Sequence, residues 1–180
     1  MRPWNVVVTV HPGGLQVSAL IGELRQRGDF RGTSFRDVLV GHVGDISALL
    51  DSLAAAQAVG APWVGDLGRV IPVERVFDFT PGNLAQLWIE ALPGFLDRMR
   101  DGSFYVRLER RGLIGQIHTV AVERVVADRL LDLAEVRGLR LRVSFADPDY
   151  ILLAETFNAE CGLALIARET RQRYPFVHTK

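Results

Sequence analysis

Two stretches of this 180-residue chain concentrate cations, and clustered cations are the groups that hold phosphate. Between residues 103 and 118 stand Arg107, Arg110 and Arg111 against one carboxylate, Glu109, a local balance of +2. Between residues 168 and 180 stand Arg168, Arg171, Arg173 and Lys180 against Glu169, a local balance of +3. The guanidinium fork of arginine suits two-pronged contact with phosphate. Arg110-Arg111-Gly112 falls where an expected strand meets a loop, and a loop glycine lets a ligand backbone come close. Tyr174 and His178 add flat rings of the kind that stack on unpaired bases or ribose. Arg36 and Arg75, both on expected strands, fit either further contacts with a polyanion or ion pairs inside the fold. Solvated arginines at strand ends and on a short helix would look the same, so charge alone leaves both readings open.

The whole-chain composition limits what such clusters can do. Lys+Arg and Asp+Glu are both 21, so the formal charge is zero and any polyanion site must be a local patch. Twenty of the cations are arginine and one is lysine. A GC-rich genome explains that total, which leaves only the clustering to carry function. The one cysteine, Cys161, can form neither an internal disulfide nor a cysteine zinc cluster, which points to a reducing, cytoplasmic setting. No leader-like or membrane-spanning apolar run is expected.

Enzyme signatures are missing. His11-Pro12-Gly13-Gly14 lies between a strand and a helix, but it lacks the spacing and the lysine of a phosphate loop. The histidines His11, His42, His118 and His178 are scattered, and Asp147-Pro148-Asp149 is explained by turn formation. Neither a metal, a cofactor nor a catalytic residue is therefore expected. Two other readings stay open. One is a small α/β enzyme on a phosphorylated metabolite, with the arginines as anion clamps and a concave pocket around a perturbed acid or base. The other is a scaffold for an acidic protein.

These side chains must be positioned by alternating α and β elements. Residues 4–10 read as a strand, and Val17, Leu20, Ile21 and Leu24 repeat at helical spacing up to a stop at Gly28. Residues 35–40 read as a strand, and Asp45 caps a helix carrying Ile46, Leu49, Leu50 and Leu53. Residues 69–79 read as extended, and Thr80-Pro81-Gly82 is the clearest break. A helix carrying Leu84, Leu87, Trp88 and Ala91 should end or bend at Pro93, with a second piece over 95–100. A strand over 103–111 follows, then a long helix between Thr119 and Gly138. Strands over 139–145, 150–157 and 162–167 complete the pattern, ahead of an arginine-rich segment over 168–174. The break divides the chain into two α/β (α+β) units, 1–79 and 80–180.

Three stretches of the second unit resemble the THUMP domain, an RNA-binding module of certain thiouridine synthases, RNA methyltransferases and pseudouridine synthases. They are Ser103-Phe104-Tyr105-Val106-Arg107-Leu108-Glu109-Arg110-Arg111-Gly112, Val143-Ser144-Phe145 with Asp147-Pro148-Asp149-Tyr150, and Gly162-Leu163-Ala164-Leu165 running to Arg173-Tyr174-Pro175-Phe176. Residues 1–79 resemble the ferredoxin-like domain that commonly precedes THUMP, although only three of its four strands are legible. The likeness is greatest to standalone THUMP proteins that assist cytidine acetylation of tRNA. It implies binding at the acceptor stem and single-stranded 3′ end of tRNA, as an adaptor for a tRNA-modifying enzyme and without catalysis. Leu113 and Ile114 depart from the basic or aromatic residues the family often carries after its arginine turn.

Overall fold

The computed structural model describes residues 3–11, 13–15 and 17–179. The chain divides into two compact units, one formed by Met1–Val73 with Glu169–Lys180, the other by Glu74–Arg168.

The first unit contains strands β1 (Val6–Val10), β2 (Asp29–Gly32), β3 (Val38–His42) and β4 (Leu67–Pro72), with helices α1 (Val17–Arg25) and α2 (Ile46–Ala58). The order β2-β3-β1-β4 with antiparallel pairing throughout is the split β-α-β arrangement of a ferredoxin-like sheet. The sheet thus has its four strands. The fourth is β2, whose sequence Asp-Phe-Arg-Gly gives no strand signal. Register supplies the reason: Phe30 pairs with Gly41, and a Cβ on Gly41 would sit 2.5 Å from the Phe30 ring. Ring and glycine fit each other, and β2 holds as a short edge strand. The Asp45 carboxylate accepts from the Ala48 amide at 3.0 Å and starts α2, as its sequence predicts.

The second unit is a five-stranded sheet ordered β5-β9-β8-β6-β7, with β5 (Arg75–Asp78), β6 (Gly102–Arg111), β7 (Leu141–Val143), β8 (Tyr150–Phe157) and β9 (Glu160–Ala167). Strand β6 runs parallel to both β7 and β8, whereas β9 is antiparallel to β8 and β5. Helices α3 (Leu84–Leu96) and α4 (Thr119–Val136) pack Trp88, Leu92, Val126 and Leu130 against Phe104, Val106, Leu108, Leu152 and Leu163. The alternate residues of β6 (Tyr105, Arg107, Glu109 and Arg111) therefore face away from the helices.

Three sequence expectations change here. The division falls after Val73 rather than after residue 79, because β5 pairs with β9 in the second sheet, and residues 169–180 group with the first unit. The extended run over 69–79 is two strands, β4 and β5, in different sheets. Pro93 does not end α3: the helix continues to Leu96, held by the buried Leu92, Phe95 and Leu96. Burial of that face outweighs the one backbone hydrogen bond that proline removes.

Candidate nucleic-acid interface

The β6 arginines are held by a strand that begins on a carboxylate clamp. At its start the Asp149 side chain accepts from the Ser103 amide and hydroxyl, both at 2.7 Å. A Cβ at Gly102 would lie 2.8 Å from that carboxylate, so glycine there lets it approach. The Ser103 hydrogen bonds and the nearby Arg168 and Arg142 charges hold the Asp149 carboxyl below the usual carboxylate range. At its far end β6 runs into Gly112 and Leu113, both with positive φ (84° and 50°), which turns the chain sharply after Arg111.

Most of the expected phosphate-binding cations are already engaged with carboxylates. Arg107 Nε lies 3.1 Å from Glu109. Burial works against the Arg107 charge, but the Glu109 hydrogen bond and charge outweigh it and raise its pKa. Arg111 donates to Glu155, a fully buried carboxylate on β8, and its guanidinium stacks 5.3 Å above the Phe157 ring. Arg168 is paired with Asp147 at 3.0 Å and with Asp149 at 2.7 Å. Arg173 lies 2.9 Å from Asp51 and packs over the Tyr174 ring. Arg110 of the β6 group makes no ion pair among the described residues and donates at 2.7 Å to the Gly112 carbonyl in the turn.

The expected ring contacts separate in the same way. Tyr174 is buried and donates to Asp51 at 2.6 Å, so it is a packing residue and not a stacking platform. Its alternation in a polar, arginine-rich segment concealed that role. His178 is exposed, with Nδ1 3.0 Å from the Thr179 carbonyl. Arg171 is half-buried on helix α5 (Arg168–Arg173), and Lys180 lies outside the described residues. Arg107, Arg110, Arg111 and Arg168 fall in the second unit, whereas Arg171, Arg173, Tyr174 and His178 fall in the first. The second unit carries twelve arginines against fourteen carboxylates, a net charge of −2, so bulk charge gives it no pull on RNA.

Of the secondary candidates, Arg36 lies in the loop before β3 rather than on a strand, exposed and 3.8 Å from Asp37. Arg75 is on β5 as expected and is exposed. It borders a cavity of about 240 Å³ with Glu74, Phe95 and Arg98, where Arg98 donates to Glu74 at 2.5 Å. A second cavity of about 340 Å³ is lined, among the described residues, by Gln57, Gly60, Ala61, Pro62, Val64 and Gly65, none of them titratable. Among the described residues there is no group of three or more His, Cys, Asp or Glu side chains placed to hold a metal ion, and no helix long and apolar enough to cross a membrane.

The structure also places residues that the sequence reading passed over. Phe145, just past β7, is 79% exposed, and its ring meets that of Tyr105 edge to face with centroids 5.3 Å apart. Arg142 on β7 pairs in register with Ser103, which sets it on the Tyr105 side of the sheet. The apolar residues around Phe145 read as one strand over 139–145, and only its exposure shows that the ring is not core.

Architecture and site together define a two-unit α+β protein, a ferredoxin-like sheet joined to a mixed five-stranded sheet backed by two helices, with arginines along one strand of the second. No protein-family model and no curated protein sequence matches the chain. Its fold is similar to that of TrmN from Thermus thermophilus, at TM-score 0.62 and 16% identity over 89% of this chain and 44% of that one. It is similar to PH1313 from Pyrococcus horikoshii, at TM-score 0.64 and 9% identity over 91% of this chain and 54% of that one. It is similar to a 4-thiouridine synthetase solved with RNA and ATP, at TM-score 0.58 and 11% identity over 91% of this chain and 41% of that one. The chain thus spans about half or less of each of these structures. The THUMP resemblance implied a fold held in common with thiouridine synthases, and that fold is the one found.

Proposed function

We propose that the chain is an RNA-binding unit of the THUMP kind that grips structured RNA, with tRNA as the substrate class and the acceptor stem and 3′ end as the region held. The observation that carries this reading is the fold shared, over 91% of the chain, with a 4-thiouridine synthetase solved with RNA. The sharp turn after β6 supports it, because it leaves Arg110 beside a positive-φ glycine, with its guanidinium on the Gly112 carbonyl. In this reading chemistry on the RNA is supplied by a modifying enzyme or a further domain, and the chain works in the cytoplasm as the holding part.

The ion pairs revise the strength of the grip. Five or six phosphate contacts would give a log–log salt slope of about −4 to −5. With Arg107, Arg111, Arg168 and Arg173 committed to carboxylates, about three contacts remain in the second unit, drawn from Arg75, Arg110 and Arg142. The expected slope is then about −2 to −3, at 0.7–0.9 per contact. Filter binding of tRNA at increasing salt measures it. Binding that ignores salt, or none at low salt, would refute the reading.

A further inference from the structure

We propose that the Tyr105–Phe145 ring pair, flanked by Arg142, is a stacking site for an unpaired nucleobase, with Arg142 holding the adjoining phosphate. The proposal rests on the RNA-binding reading and adds to it a place, the side chains that would meet a single-stranded end. The rings are fixed from both sides. Phe145 follows the last residues of β7, whose end is pinned by the Ser144 amide donating to the Phe104 carbonyl at 2.9 Å and by the Ser144 hydroxyl donating to the Ala146 carbonyl at 3.1 Å. Tyr105 meets Phe145 at an interplanar angle of 71°, and the Tyr105 hydroxyl takes a 3.5 Å contact from Arg107. The ring that is 79% exposed is therefore held against a half-buried partner.

Charge around the rings decides the occupant. Arg142 is exposed and makes no ion pair within 4 Å among the described residues, and register sets it beside Ser103, one step along the same face from Tyr105. The nearby carboxylates are engaged: Glu109 with Arg107, and Asp147 and Asp149 with Arg168. Val143, on β7 two residues before Phe145, is 42% exposed, whereas Ile114 lies in the loop after β6 and Val136 at the end of α4, so along its own strand Phe145 is joined by one partly exposed valine. A protein partner needs roughly 800 Å² of surface per side. A base needs one flat ring and one cation, and this is what the β6–β7 edge presents.

The test uses the intact chain with two RNA hairpins, one blunt and one bearing a four-nucleotide single-stranded 3′ overhang. Wild type is expected to favour the overhang RNA. Phe145→Ala should lower affinity for that RNA about tenfold, within the range set by ~1–3 kcal/mol per stacked base, and leave the blunt hairpin unchanged. Phe145→Trp should retain affinity, with its emission quenched on binding. Arg142→Gln should weaken overhang binding and flatten the salt slope by about one contact. If wild type binds both hairpins equally and Phe145→Ala changes neither, the stacking site is wrong while RNA binding stands. If wild type binds neither, the RNA reading itself falls and the site with it. Self-association by light scattering that Phe145→Ala abolishes would overturn the proposal in favour of a protein contact.

Discussion

Arg111→Ala separates a structural arginine from an RNA-contacting one, and the structure sets the size of the effect. The Glu155 side chain has no solvent exposure and that of Arg111 has 12%, so the pair is almost fully desolvated. Removing one member of a buried pair typically costs ~3–5 kcal/mol, because the other charge stays buried with less to offset it. Loss of the guanidinium from the Phe157 face adds to this. The second unit, Glu74–Arg168, is of a size at which 1 kcal/mol moves Tm by about 4–8 °C, so the variant should melt about 12 °C or more below wild type. Arg110→Ala removes one half-buried side chain and its hydrogen bond to the Gly112 carbonyl, and should cost only about 1 kcal/mol. Thermal melts followed by circular dichroism, with tRNA binding measured well below each midpoint, make the comparison. Arg111→Ala should be unstable yet bind tRNA while folded; Arg110→Ala should be stable and bind weakly. An Arg111→Ala protein with wild-type Tm and lost RNA affinity would refute the assignment of Arg111 to the fold.

Two further predictions concern pH. The Tyr174 hydrogen bond to Asp51 holds the Asp51 carboxyl below its ordinary value and pushes the Tyr174 phenol above its own. A depressed carboxyl stabilises the fold above its unfolded pKa and loses that as pH falls; a raised phenol stabilises below its unfolded pKa and loses that as pH rises. The pair should therefore stabilise the first unit between about pH 4 and pH 10. Tyr174→Phe should lower Tm within that window and leave tRNA affinity unchanged; equal loss of Tm across the whole pH range would contradict the shared hydrogen bond. The depressed Asp149 carboxyl likewise stabilises the second unit above about pH 4, with the benefit lost as pH falls further. Asp149→Asn should be less stable than wild type at neutral pH, and the two melting curves should converge toward pH 2. A constant gap would mean that Asp149 acts through packing alone.

The sequence by itself determined the α/β alternation, the Asp45 cap, the two apolar helices over the second sheet and the glycine turn after Arg111. These are local matters: side-chain period, capping chemistry and the positive φ that glycine tolerates are legible a few residues at a time. The same sequence listed Arg107, Arg111, Arg168, Arg173 and Tyr174 as candidates to face a ligand, because a guanidinium on a strand looks alike whether water or a carboxylate lies opposite. Their partners Glu155 and Asp51 stand 44 and 122 residues away from Arg111 and Arg173, and only strand pairing and helix packing bring them together. Tertiary structure also decided that β5 joins the second sheet, since one edge strand carries no mark of which sheet it completes. It decided too that Phe145 stands in solvent, because exposure of a ring after a three-residue strand depends on what the rest of the fold leaves uncovered.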